Sequence, residues 1–155
     1  MKNLFFKFII TLVSGLLLQN VVLAGEIKFV QVTDPHFSIT NPYSEEVLRK
    51  TVEDINKLEG VSFVAFTGDN IDKPQPEELA AFVRIVNKLN VPYYLVIGNH
   101  DVFKTNGLSK EEYFQVVREN NFLYRYKTPN YVFKKGEFVF IVVDGAKEVI
   151  PGNVG

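Results

Sequence analysis

The sequence contains no cysteine, so it can form no disulfide and offers no thiolate to a metal. Its histidines number only two, so a site that needs imidazole must use His36 or His100. The formal net charge is −1, a balance that predicts no binding to a nucleic-acid backbone. The first predicted strand is followed by no glycine-rich phosphate loop, which argues against a doubly wound nucleotide or sugar binder.

Residues 1–24 have the layout of a secretory signal peptide. Lys2 and Lys7 precede an apolar run from Phe8 to Leu23, and the run ends at a small-residue cleavage site, Val22-Leu23-Ala24. The alternative is an uncleaved anchor, for which the run is near the lower limit of roughly 17 to 25 residues. Both interpretations predict an exported chain, periplasmic or secreted, and membrane association is expected only if the segment stays uncleaved.

Residues 25–155 are long enough for one globular domain. Short apolar segments predict strands, and segments with an apolar stripe at helical spacing predict helices. In chain order the predictions are strand 26–32, helix 44–58, strand 61–67, a helix from Pro76, strand 93–97, a helix entered through a Ser109–Glu112 capping box, and strands 124–126, 131–133 and 138–143. The first six elements predict a parallel sheet layered with helices, and the last two strands predict a hairpin.

The three strands of the predicted parallel sheet each run into a polar motif. The motifs are Asp34-Pro35-His36, Gly68-Asp69-Asn70-Ile71-Asp72 and Gly98-Asn99-His100-Asp101. Ligands of open α/β sheets bind at the carboxyl ends of the strands, so these side chains are expected to lie together. Their carboxylate, amide and imidazole donors suit divalent ions such as Mn, Fe, Zn or Mg. Two close carboxylates would repel each other unless a cation lay between them.

Each motif taken alone has an ordinary structural explanation. An aspartate after a strand is commonly a helix cap, Gly-Asn is commonly a turn, and a single histidine is commonly a satisfied polar residue. The combination favours a metal site, because the only two histidines of the chain fall within two of the three motifs.

The three motifs resemble the first three signature motifs of the calcineurin-like metallophosphoesterases in their order and spacing. The spacing is about thirty residues, which suits successive βα units. The resemblance runs from Ile27 to about Asp144. It implies an α/β fold, a four-layer sandwich of two mixed β-sheets flanked by helices, here incomplete at the C-terminus. The implied function is hydrolysis of phosphate mono- or diesters at two divalent metal ions, with a small phosphorylated substrate.

The resemblance also implies which residues would hold the two metals. Asp34 and His36 would hold one metal, and Asn99 would hold the other. Asp69 would bridge both.

The resemblance implies a catalytic pair beside these ligands. His100 would lie next to the phosphate and protonate the leaving group or stabilise the charge of the transition state. The carboxylate of Asp72 would orient His100 through a hydrogen bond. Asp101 is expected only to cap the turn.

Departures from subfamily patterns narrow the expected branch. The second motif lacks the Arg-Gly that follows it in protein Ser/Thr phosphatases, and the third motif ends in Asp101 rather than Glu. Asp72 stands where purple acid phosphatases have a metal-binding tyrosine. The branch that remains resembles the bacterial phosphodiesterases and phosphatases, which include cyclic-nucleotide phosphodiesterases.

No histidine follows His100, whereas the family supplies further histidine ligands after its third motif. We therefore expect the N-terminal portion of a phosphoesterase, a fragment or a truncated product whose activity is not assured. The alternative is a non-catalytic secreted domain with residual metal or phosphate binding. The segment from Phe138 to Val143 is expected to form a long apolar edge, a site for pairing or aggregation.

Overall fold

Five strands and three helices make up the described part of the chain, which is residues 25–103 and 107–147 of a computed structural model. In chain order they are β1 Lys28–Val32, α1 Pro42–Asn56, β2 Val61–Thr67, α2 Pro76–Val86, β3 Tyr93–Val96, α3 Lys110–Asn120, β4 Tyr131–Lys135 and β5 Phe138–Val142. The predicted signal peptide, residues 1–24, lies outside the described residues. Within them, no helix has the length and apolar character needed to cross a bilayer.

The first three strands form a parallel sheet in the order β1-β2-β3. Since each connection between neighbouring strands carries a helix, right-handed crossovers place α1 and α2 on the same face of the sheet. Side chains alternate between the faces along a strand, so Val64 and Phe66 of β2 face the helices while Phe63 faces the opposite side. Phe66 meets Phe82 of α2 edge to face, with ring centroids 5.3 Å apart.

The hairpin of β4 and β5 packs on the other face of this sheet. The ring of Phe133 stacks on Tyr94 of β3, and it meets Phe63 of β2 edge to face. Phe140 of β5 also contacts Phe63, with ring centroids 4.9 Å apart. A layer of aromatic side chains therefore joins the two sheets.

The hairpin leaves its outer face apolar. Val139 and Ile141 of β5 are 60% and 70% exposed, and Val132 of β4 is 55% exposed. Val132 pairs with Ile141, so these side chains share one face of the ladder. The structure thus shows exposed apolar residues in the segment where the sequence predicts an apolar edge.

The predicted strand 124–126 is absent from the structure. Tyr124 and Tyr131 instead turn their hydroxyls toward the free edge of β3, where a further strand would have paired. The Tyr124 hydroxyl accepts from the Leu95 N–H at 3.3 Å, and the Tyr131 hydroxyl donates to the Leu95 carbonyl at 2.8 Å. Side-chain hydroxyls thus satisfy the hydrogen-bonding needs of the Leu95 N–H and carbonyl in β3.

The predicted α/β class is confirmed, with a parallel sheet, helices on one face and an antiparallel hairpin on the other. The other strands and the helix starts agree with the sequence predictions to within two residues. The capping box at Ser109 and Glu112 is also present. The three sheet strands bring the three polar motifs to one edge.

Candidate metal centre

Three motif residues have backbones in the left-handed region. The φ angles are 51° at Asp34, 41° at His36 and 48° at Asp69. Only a few per cent of non-glycine residues adopt φ > 0, and such strain concentrates at active sites and ligand clamps. The backbone strain therefore falls on three of the four residues predicted to hold metal.

The loops that follow β1 and β2 are joined to each other by backbone hydrogen bonds. We call residues 33–41 the β1 loop and residues 68–75 the β2 loop. The Asp34 N–H donates to the Gly68 carbonyl at 3.1 Å, and the His36 N–H donates to the Asp69 carbonyl at 3.0 Å. Pairing thus continues past the ends of both strands, and it fixes the two loops side by side.

The loop that follows β3, residues 97–103, approaches Asp69 from the other side, and we call it the β3 loop. A Cβ added at Gly98 would overlap the carboxylate and the backbone nitrogen of Asp69, so only glycine fits there. The His100 N–H donates to Asp69 Oδ1 at 2.9 Å. Asn99, the predicted ligand of the second metal, lies between Gly98 and His100 in the sequence and is exposed.

Asp34, His36 and Asp69 form the first of two clusters at this edge. One ligand atom from each lies within 4.8 Å of the other two, and His36 Nε2 is 3.8 Å from Asp69 Oδ2. The Thr33 hydroxyl donates to the Asp34 carboxylate. Two carboxylates and one imidazole are the donor set that Mn, Fe or Zn ions take, so these residues fit a divalent ion.

The second cluster consists of His36, Asp72 and His100, whose ligand atoms also lie within 4.8 Å of one another. His36 Nδ1 is 3.8 Å from Asp72 Oδ1. His100 Nδ1 donates to the main-chain carbonyl of Asp72 at 3.1 Å. The sequence predicts a hydrogen bond from His100 to the carboxylate of Asp72, whereas in the structure His100 bonds to the main-chain carbonyl of Asp72 and the carboxylate faces His36.

Asp101 anchors the β2 and β3 loops from beneath the site. Its carboxylate is fully buried and accepts hydrogen bonds from the Gly98 N–H at 2.8 Å and the Ile71 N–H at 3.0 Å. Burial raises the pKa of Asp101 to about 7, against the opposing effect of these two donors. The Asn70 side chain donates to Asp101 at 3.0 Å and contacts the Tyr113 hydroxyl of α3.

Sequence reasoning assigned no role to Asn70 and expected Asp101 only to cap a turn. It also missed Glu78, which is 2% exposed and bonded to both the β1 and β2 loops. A signal for Glu78 was available, because it stands four residues before Phe82, on the apolar stripe of α2, where a charged side chain is out of place.

The comparison with known proteins agrees with this geometry. Residues 27–151 match the sequence model of the calcineurin-like phosphoesterases. The chain belongs to the calcineurin-like phosphoesterases. Members of this family are hydrolases that usually bind divalent metals, which is consistent with the donor set of the first cluster.

A relative described as a probable glycerophosphodiester phosphodiesterase GpdQ, from Arcobacter nitrofigilis, is 33% identical to this chain over 102 residues. The match covers 61% of this chain and 37% of the relative's length.

The structure brings five of the six predicted site residues together in two clusters that share His36. The sixth, Asn99, is held between two neighbours of Asp69. Whether each residue has its predicted role stays a prediction, as does the placement of the chain in the branch that includes cyclic-nucleotide phosphodiesterases.

Proposed function

We propose that the protein hydrolyses phosphate mono- or diesters through a dinuclear centre of two divalent metal ions. The observation that supports this most directly is the first cluster, in which Asp34, His36 and Asp69 converge on backbones held at φ > 0. These three residues would hold one ion, and Asp69 with Asn99 would contribute to the second. Such ions, when bound, polarise phosphoryl oxygens and lower the pKa of a water molecule.

His100 would act on the leaving group. Its Nδ1 proton is engaged by the Asp72 carbonyl, which leaves Nε2 as the nitrogen available to a substrate oxygen. In the protonated imidazole, Nε2 could give its proton to the departing oxygen. The Asp72 carbonyl, which accepts from Nδ1, would stabilise the positive ring before the transfer, and a neutral imidazole protonated at Nδ1 would remain afterwards.

The substrate class is proposed to be a small phosphorylated molecule, with a phosphodiester favoured. The relative that is described as a probable glycerophosphodiester phosphodiesterase supports this choice, since 61% of this chain aligns with it. Export to the periplasm or the medium is part of the proposal, and it depends on the predicted signal peptide. N-terminal sequencing of the mature protein would test the export, because cleavage predicts a first residue of Gly25.

Replacing Asp69 by alanine is the direct test of the site. The unaltered protein is expected to bind Mn²⁺ and to hydrolyse an aryl phosphodiester, whereas Asp69→Ala should lose at least about 100-fold in Mn²⁺ affinity and all measurable hydrolysis. The matched control is Asp54→Ala, since Asp54 lies on the surface of α1 and its side chain is 52% exposed. Calorimetric titration and product release are the two measurements.

Three results would contradict the proposal or part of it. Calorimetric silence of the unaltered protein with Mn²⁺ would exclude the metal centre. Mn²⁺ binding without hydrolysis would favour the non-catalytic alternative. Loss of activity in Asp54→Ala would show that the loss in Asp69→Ala is not specific to the site.

The expected truncation also stays a prediction. Reading the coding DNA past the codon for Gly155 would test it. A frame that continues into a histidine-bearing strand would supply the further ligands, and a stop codon there would predict a weak second metal site.

A further inference from the structure

Glu78 is buried close to the metal centre but lies on an element that carries none of the predicted ligands. It occupies the first turn of α2 and is 2% exposed. A carboxylate is almost never buried to this degree unless it is paired or hydrogen-bonded. Its two oxygens therefore need partners, and the partners lie in the loops that form the site.

The β1 and β2 loops run side by side until they pass the site. Phe37 and Ile71 form a parallel bridge, and the Asp72 N–H donates to the Phe37 carbonyl at 2.9 Å. Beyond this bond, the described residues of the two loops share no further backbone hydrogen bond. The Ile39 N–H then donates to Glu78 Oε1 at 3.1 Å, and the Lys73 N–H donates to Glu78 Oε2 at 3.0 Å.

The carboxylate of Glu78 therefore takes the place of the next backbone hydrogen bond between the loops, because each of its oxygens accepts from one loop. Glu78 is the third residue of α2, a position from which glutamate usually reaches back to the N-cap of its own helix. Glu112 does this in α3, where it accepts from the Ser109 N–H. Glu78 instead reaches past its N-cap residue, Gln75, to two separate loops.

We propose that Glu78 is a positioning residue for the metal centre, fixing the distance between the loop that carries His36 and the loop that carries Asp72. The inference rests on the proposed function for its consequence, which is metal binding. Its structural basis, the two bonds to Ile39 and Lys73, is independent of any metal. A neutral amide at position 78 would retain one acceptor and turn an N–H group toward a backbone N–H, so one of the two loops would be released.

The test compares Glu78→Gln with two controls in the full chain. Glu77→Gln makes the same change of charge at the exposed neighbouring position. Val83→Ala removes buried atoms from the same helix and lowers stability without touching the carboxylate. Mn²⁺ affinity is measured by calorimetry, and the melting temperature of each variant is measured beside it.

Glu78→Gln is expected to weaken Mn²⁺ binding by about 10- to 100-fold, and both controls are expected to stay within about twofold of the unaltered protein. If Glu78→Gln binds Mn²⁺ as tightly as the unaltered protein, the proposal is overturned. Equal weakening in Val83→Ala would overturn it as well, since a general loss of stability would then explain the effect.

Amide hydrogen exchange in the unaltered, metal-free protein tests the proposal even if Glu78→Gln does not fold. The amides of Ile39 and Lys73 are expected to exchange at least about tenfold more slowly than in an unstructured chain, although both lie in loops. Exchange at the unstructured rate at either amide would overturn the proposal. If the exchange is slow but no Mn²⁺ binds, the proposed function fails while the bonds made by Glu78 stand.

Discussion

Asp101 is a buried residue that fixes two loops of the site relative to each other. Its carboxylate accepts hydrogen bonds from the Ile71 N–H in the β2 loop and from the Gly98 N–H in the β3 loop, so it joins the loop that carries Asp69 to the loop beside it. The position of the predicted bridging ligand therefore depends on a side chain that is itself fully buried.

Replacing Asp101 by asparagine is expected to destabilise the protein by about 1–3 kcal/mol. The amide nitrogen of asparagine would face an N–H donor, and a buried donor without an acceptor costs about that much. The free energy of unfolding in urea at neutral pH is the measurement.

Asp54→Asn is the matched control for this prediction. Asp54 pairs on the surface with Lys50 and Lys57, and a change there should leave the free energy of unfolding close to that of the unaltered protein. Equal losses in the two variants would show that the hydrogen bonds of Asp101 contribute nothing particular.

The sequence predicted which polar residues lie close together better than it predicted their contacts. The resemblance to the family motifs selected His100 and Asp72, and strand ends that converge in a parallel sheet explain why the two residues lie close together. The pattern could not tell whether the carbonyl or the carboxylate of Asp72 meets His100, since that depends on side-chain torsions set by the surrounding packing. Glu78 was missed because a glutamate in the first turn of a helix is already explained by the helix dipole.

At the scale of single elements, α3 has the best-defined start. The Ser109 hydroxyl accepts from the Glu112 N–H at 3.2 Å, and the Glu112 carboxylate accepts from the Ser109 N–H at 2.8 Å. The hydrogen bond from the Ser109 N–H lowers the pKa of the Glu112 carboxyl, and the Ser109 side chain lowers it further. The start of α3 matters for the site because Tyr113, in its first turns, contacts Asn70.

Ser109→Ala should lower the free energy of unfolding by about 1 kcal/mol, the usual cost of removing a side-chain N-cap. Glu111→Ala is the control, because Glu111 is an exposed residue of the same turn and contributes only a few tenths of a kcal/mol through the helix dipole. Urea denaturation of both variants is the measurement. A loss in Glu111→Ala as large as in Ser109→Ala would argue that charge, rather than the capping hydrogen bond, stabilises this end.

Elements with strong periodicity were predicted to within two residues at their starts, and β2 was predicted at both ends. The prediction of a strand at 124–126 is wrong. Tyr124 and Tyr126 alternate as in a strand, yet the hydroxyl of Tyr124 accepts from the backbone of Leu95 in β3. A period-two pattern cannot show that a side chain takes over the hydrogen bonds of a backbone.

At the scale of the whole molecule, buried tyrosines make the fold sensitive to alkaline pH. Burial raises the pKa of Tyr93 and of Tyr131 to about 12. In the unfolded chain these phenols titrate near the ordinary value of about 10. The native state keeps the protons, so the stabilisation is complete below pH 10 and is lost as the pH rises through 12.

The free energy of unfolding is therefore expected to fall between about pH 10 and 12, by up to about 2–3 kcal/mol for each of these tyrosines. Urea denaturation at several pH values would measure it. Tyr131→Phe should make the decline shallower, and Tyr43→Phe, at a residue 70% exposed, should leave it unchanged. A profile that is flat from pH 9 to 12 would contradict the prediction.

The order of layers was predictable at this scale, because alternating strands and helices followed by a hairpin permit few arrangements. The aromatic packing between the layers was not predictable. Which rings stack, as Tyr94 and Phe133 do, depends on the register of two sheets that share no hydrogen bond.

The three left-handed residues of the site have a consequence for how the sequence can change. Glycine adopts φ near +50° without steric cost, so glycine at Asp34, His36 or Asp69 would relieve strain while removing a ligand. A lineage under selection for stability alone would therefore drift toward glycine at these positions. This chain instead carries aspartate or histidine at all three positions, which places metal-ligand side chains where the backbone by itself favours glycine.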